Sequence, residues 1–301
     1  MTRGIDAHTD KFLSDIADIR TRIDRAQREI ASGHRVNSAS DSPDEIGHLL
    51  SVRSNLSAME QTQQNLGRVD TETRTAENAL SGAIDIVERV AVLGTQGGSD
   101  ITSADARKTL ANEVDQLLGN LVNTANTQLE GRFIFSGDSD LTAPYAYDPT
   151  QANPVGSYQG ATSSRQVQHP SGPRFSISKT ADEIFDNTDP QKNVFAAVRG
   201  LRDALIGNDG ATIRTAVGSV QASLLHLNNQ LAFYGGVQNQ VQSASDFASK
   251  QTIELKKQIS QIEDADLTSS ILELNNSKFQ LETALQAESQ RPRTSLFNYL
   301  R

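Results

Sequence analysis

Residues 3–33 read RGIDAHTDKFLSDIADIRTRIDRAQREIASG, and their spacing decides the fold. Ile5, Phe12, Ile16, Ile19, Ile23, Ala26 and Ile30 are separated by seven or by alternating fours and threes. That rhythm makes an amphipathic helix whose apolar seam needs a partner helix. Leu267, Ile271, Leu274, Leu281 and Leu285 repeat it near the other end of the chain. Charge off the first seam is dense (Asp6, Asp10, Asp15, Asp18, Arg22, Arg25, Arg28, Glu29), so only a narrow strip is sticky. An isolated helix of this length is marginal in water. Each buried Ile or Leu contributes about 1.5–3 kcal/mol once a partner arrives. Ile5, Phe12, Ile16, Ile19, Ile23, Ile30, Leu267, Ile271, Leu274, Leu281 and Leu285 are therefore the expected assembly interface, with terminal helices that order on assembly.

Proline maps what lies between. Six of the eight prolines (Pro144, Pro149, Pro154, Pro170, Pro173 and Pro190) fall in one stretch, and none occurs over 44–143 or 191–291. Proline costs about 3 kcal/mol inside a helix, so the two flanking arms can be helical and the middle cannot. In the first arm, Gly33 ends the first helix. Ser42, Pro43 and Glu45 then open a second with N-cap, N1 and capping-box signals, and it runs to Gln96 before Gly97-Gly98. At ~1.5 Å per residue it is about 80 Å long. Thr102 and Asp105 open a third helix reaching Glu130. The second arm holds a helix from Asn193 to Gly207, a long one from Ala211 to Glu263, and a last one to Gln290, before Pro292 and an amphipathic tail.

The middle is rich in Gly, Pro, Ser, Thr and Tyr. Short strands are expected around 131–137, Tyr145–Tyr147, Ser157–Gln159, Arg165–Gln168 and Arg174–Ser178, with Tyr145, Tyr147, Tyr158 and Phe175 as a core. The expected fold is mainly α with a small β insert: an elongated antiparallel helical-bundle rod with terminal coiled-coil helices. Its domains are 1–42 with 264–301 (terminal coiled coil), 43–130 with 191–263 (helical rod), and 131–190 (small β-rich, outward-facing).

Composition narrows function. The 301 residues carry a net charge of −9, 36% apolar residues, no Cys and no Trp. Acidity argues against nucleic acid and anionic membranes as partners. No apolar run approaches the ~20 residues of a membrane span, and the N-terminus lacks the apolar stretch of a cleavable signal. Without Cys there is no disulfide or thiolate chemistry. His34 and His48 flank Asp41, Asp44 and Glu45, but their spacing fits no helical ligand pair. Glu263-Asp264-Asp266 lacks the alternating ligands and glycine of a calcium loop. No phosphate-binding loop or nucleophile elbow occurs. The expectation is no enzyme, no metal and no cofactor, against the rival of an adhesin or enzyme carried on a coiled-coil stalk.

Two segments carry a family resemblance. Ile30-Ala31-Ser32-Gly33-His34-Arg35-Val36-Asn37-Ser38-Ala39-Ser40-Asp41-Ser42-Pro43 resembles the flagellin N-terminal segment, and Ile259-Ser260-Gln261-Ile262-Glu263-Asp264-Ala265-Asp266 resembles the opening of its C-terminal helix. Ala284-Leu285-Gln286-Ala287 and Ser295-Leu296 echo that helix's end. Within the flagellin superfamily, three stretches look like the hook–filament junction proteins of the hook-associated protein 3 type. They are Gly131-Arg132-Phe133-Ile134-Phe135-Ser136-Gly137, Ser157-Tyr158-Gln159-Gly160 with Arg165-Gln166-Val167, and Leu296-Phe297-Asn298-Tyr299-Leu300. Glu88-Arg89-Val90-Ala91-Val92-Leu93 departs from the flagellin "R-V-R-E-L", which puts recognition by the innate flagellin receptor in doubt. The resemblance implies a structural subunit exported through the flagellar secretion apparatus and located in the extracellular flagellum at the junction. Its implied partners are the other junction protein, flagellin, further copies in a ring, and an export chaperone. The alternative is flagellin, the filament subunit itself.

Overall fold

The computed structural model describes residues 7–290, with side chains from residue 9. The elements in order are α1 (Ala7–Ser32), α2 (Pro43–Gly97), α3 (Ala104–Ala125), β1 (Gln128–Leu129), β2 (Arg132–Phe133), β3 (Gln166–Gln168), β4 (Arg174–Ser176), α4 (Ala181–Ile184), α5 (Val194–Ile206), α6 (Gly210–Glu263) and α7 (Leu267–Ser289). The fold is mainly α, with two small antiparallel strand pairs. The chain divides into two compact units, Met1–Met59 with Gln251–Arg301, and Glu60–Lys250.

The larger unit is built on one hydrophobic cluster. Leu80, Val87, Val90 and Leu93 of α2 meet Val114, Leu118 and Leu121 of α3, Val198 and Leu201 of α5, and Val220 and Leu227 of α6. Part of the non-helical segment contributes to the same cluster. Ile134, Phe135, Tyr145 and Val155 belong to it, as do Ile184 and Phe185 of the short α4 region. The Phe135 ring meets Phe185 edge-on at 6.0 Å, and Tyr145 meets Phe195 of α5 at 5.0 Å. Of the four expected aromatics, Tyr145 is fully buried, while Tyr147, Tyr158 and Phe175 are half-buried.

The differences from the sequence expectation have local causes. Helix α3 is capped by Ser103, which accepts from the Ala106 amide, while the Thr102 hydroxyl donates back to Gln96. It stops at Ala125 instead of Glu130. The Asn126 side-chain amide donates to Tyr145 O at 2.8 Å, and its oxygen accepts from Tyr145 N at 3.0 Å. That pairing with another backbone competes with continuing the helix. Glu130 and Gly131 then both take positive φ (52° and 79°), the turn pattern that closes a two-residue hairpin. It pairs Gln128 with Phe133 and Leu129 with Arg132. Strands form at 166–168 and 174–176. Around Tyr145–Tyr147 only an isolated bridge from Tyr147 to Val155 forms, and Ser157–Gln159 is not a strand. Pro144, Pro149 and Pro154 remove the backbone donors that a ladder there needs.

One buried cation holds an end of this unit together. Arg107 is 7% exposed. Its Nε donates to Gly97 O at 2.8 Å, one Nη to Asn208 O (3.1 Å) and Oδ1 (2.7 Å), and the other Nη to Ser99 O at 3.1 Å. It thereby satisfies carbonyls left open beyond α2 and α5. Arg107→Met keeps the aliphatic bulk and removes all four bonds. It should lower the unfolding free energy by about 2–4 kcal/mol, read from the urea midpoint of the full chain.

Candidate functional site

The smaller unit carries the residues of the two sequence motifs, and they form a corner. Helix α1 ends at Gly33, whose φ of 75° turns the chain in the left-handed region. His34 then pairs with Asp264 in an isolated antiparallel bridge. Arg35 N donates to Glu263 O at 2.6 Å, and Ala265 N donates to Gly33 O at 2.9 Å. The link between α1 and α2 is thus laid as a miniature ladder against the link between α6 and α7.

Side chains lock this ladder. The Arg35 guanidinium donates to Ile262 O at 2.7 Å and pairs with Glu45 at 2.6 Å. Arg53 of α2 pairs at 2.5 Å with Glu263, which is 7% exposed. The Asp41 carboxylate accepts from the amides of Ser38 (2.7 Å) and Asn37 (3.0 Å), and those backbone bonds hold its pKa below the ordinary carboxylate value. Glu45 is lowered too, first by the Ser42 hydroxyl and then by Arg35. A lowered folded-state pKa contributes stability above the unfolded-state value and loses it as pH falls through the folded one. At the far side, Asp266 accepts from the amides of Thr268 and Ser269 and caps α7.

Helices α1 and α7 run antiparallel from this corner, as the pairs Glu29–Ser270 (2.7 Å) and Arg22–Gln280 (3.0 Å) require. The two helices pack along each other. Ile16, Ile19 and Ala26 of α1 are buried; Phe12, Ile23 and Ile30 are half-buried. Of the described part of the expected α1 seam, three residues are therefore covered within the chain and three are partly covered. Helix α7 behaves differently. Its buried residues are Ser270 and Ser277, followed at the same spacing by half-buried Ala284. Leu274 and Leu281 are half-buried, and Leu267, Ile271 and Leu285 are 46–48% exposed. Of the expected α7 seam, three residues are left outward and two are shared. Ile5 lies outside the described residues. The serines were missed because a search for large apolar residues passes over them; their seven-residue spacing was the available signal.

Four of the carboxylates singled out by sequence have structural roles. Glu263 takes Arg53, Asp266 caps a helix, and Glu45 and Asp41 order the corner. Among the described residues, no group of three or more His, Asp or Glu side chains is placed to hold a metal. No described helix is long and apolar enough to cross a membrane.

Family models match both ends: that of the bacterial flagellin N-terminal helical region over residues 8–140, and that of the C-terminal helical region over residues 208–300. The chain belongs to the flagellin family. It is a structural component of the bacterial flagellum and not an enzyme. The flagellar filament 33 kDa core protein of Treponema phagedenis is 20% identical over 290 residues, covering 93% of this chain and 92% of that protein. Flagellin FlaB1 of Treponema pallidum is 22% identical over 287 residues, covering 93% of each. Among solved structures, the flagellar hook associated protein-3 of Legionella pneumophila matches with a TM-score of 0.62 at 16% identity, over 70% of this chain and 98% of that one. FlgL of Bacillus cereus matches with a TM-score of 0.57 at 22% identity, over 72% of this chain and all of that one. At these identities the structural likeness is one of fold.

Two substitutions separate the inner and outer faces of the flagellin-family helix pair. Ile19→Asp puts a carboxylate into the α1–α7 contact and should unpair the helices, costing about 3 kcal/mol or more. Ile271→Asp sits outward and should change stability by less than about 0.5 kcal/mol. Limited proteolysis of the full chain reads the difference as early cleavage in α1 or α7 for the first variant alone. Acidification should loosen the corner of both proteins, because Asp41 and Glu45 lose their contribution as they protonate. Protection of the α1–α2 link against proteolysis should fall as pH drops below about 4.

Proposed function

We propose that this chain is an adaptor at the junction between hook and filament, exported through the flagellar secretion apparatus and assembled through its α1–α7 helix pair. The observation that carries this reading is how the non-helical motifs pack. Phe135 of the Gly131–Gly137 run is wholly buried. Its carbonyl accepts from Ala181 N at 2.8 Å and from the Tyr158 hydroxyl at 3.3 Å, while Ala161 N donates to Ser136 O at 3.0 Å. A Cβ on Gly137, whose φ is 61°, would lie 2.4 Å from Ala161 O. The two stretches that resemble junction proteins are thus one physical unit, each needing the other. The shared fold with hook associated protein-3 of Legionella, over nearly all of that chain, supports the same reading.

In this role the chain contacts the other junction protein on one side and flagellin on the other, with further copies completing a ring. An export chaperone holds its C-terminal region before assembly. The outward residues Leu267, Ile271 and Leu285 of α7 are the assembly surface, together with the half-buried Leu274 and Leu281. A second reading, the filament subunit itself, is favoured by the full-length match to the Treponema filament proteins.

Deleting the gene separates the two. The junction reading expects complete hooks, no filament, and flagellin monomers released into the medium. Normal filaments in that strain would refute it. Hooks without filaments and without released flagellin would favour the filament-subunit reading, as would recovery of this chain as the dominant protein of sheared flagella.

A further inference from the structure

The outward face of α7 is more regular than its apolar residues alone indicate. Leu267, Ile271, Leu274, Lys278, Leu281 and Leu285 are spaced four, three, four, three, four. In heptad terms Ile271, Lys278 and Leu285 occupy a positions, and Leu267, Leu274 and Leu281 occupy d positions. Ser270, Ser277 and Ala284 fall in the g column, and the two serines are buried. The helix therefore turns g toward α1 and leaves a about half exposed, with the d residues Leu274 and Leu281 half-covered and the neighbouring b residues Leu272 and Phe279 more exposed still. A lysine stands in the middle of the outward seam. Lys278 is exposed and takes part in none of the ion pairs found among the described residues.

A single polar residue at an a position costs coiled-coil stability and fixes register and partner. We propose that Lys278 is the specificity-determining residue of this seam, and that the seam receives an amphipathic helix of another protein. That helix carries apolar residues at four-three spacing and one carboxylate facing Lys278. A second copy of α7 fits poorly, because its seam residues include no carboxylate. Pairing in parallel register would set lysine against lysine. In a second copy's α1, Ile16, Ile19 and Ala26 are already buried. The proposal rests on the reading of α7 as an assembly surface, but not on the junction assignment.

The test uses the full chain and synthetic helical peptides with a Leu/Ile heptad seam. The peptides differ only in Glu or Lys at the central a position and are kept at concentrations where they are monomeric. By fluorescence anisotropy the Glu peptide should bind about tenfold more tightly than the Lys peptide. Lys278→Glu should reverse that order, and Lys278→Leu should bind both alike. Equal binding of the two peptides to the unaltered chain, no binding of either, or an order unchanged in K278E would overturn the proposal. So would concentration-dependent self-association of the chain alone that K278L strengthens in sedimentation, which would give the seam to a second copy. A gene deletion that left filaments intact would overturn the junction reading and leave these binding results standing.

Discussion

Glu263 is the constraint on which the smaller unit depends. A carboxylate 7% exposed is tolerable only when paired, since stranding one costs several kcal/mol. Arg53 supplies the pair from α2, which fixes α6 against the start of α2. The backbone of the same residue accepts from Arg35, which draws the α1–α2 link alongside. With both links tied, α1 must leave the corner beside α7, and the antiparallel pair follows. The flagellin-like motif residues therefore form the joint that aims two helices along one line. Arg35 shows the economy of the joint: one guanidinium reaches the carbonyl of Ile262 and the carboxylate of Glu45 together.

What was legible in the sequence was what is locally encoded. The proline map marked the helical arms, because a missing donor acts on its own turn of chain. Pro43, Gly33 and the acidic break before Leu267 bounded the helices to within a few residues. The end of α3 was not legible, because it depends on Asn126 finding the backbone of Tyr145, nineteen residues on. The strands expected near the three prolines failed on a local rule that periodicity alone ignored. Nor could composition reveal that the insert's aromatics share a core with α5 and α6, since Tyr145 meets Phe195 only through the tertiary fold.

The residues expected to form an assembly surface divide in the same way. Both seams were visible as heptads, but a heptad shows which residues want burial and not which neighbour provides it. In α1 the neighbour is inside the chain. In α7 the small residues face α1, and the larger side chains stay outward. Had Ile or Leu stood at 270 and 277, α7 would sit farther from α1, and Glu29 would lose its bond to Ser270. Small residues toward α1 let the pair close without spending the a-position side chains.

That arrangement separates folding from association. Burial of Ile16 and Ile19 against α7 contributes to the chain's own stability, so the pair can form before any partner arrives. Ile271 and Leu285 stay nearly half exposed in the folded chain, so their burial is left for a partner in the proposed assembly. A seam wholly of Leu and Ile would accept any amphipathic helix it met. A charged residue at its centre lowers the affinity for all partners and lowers it least for one that brings the opposite charge. Lys278 stands where that discrimination is strongest, in the middle of the stripe and clear of the α1 contact that holds the helix in place.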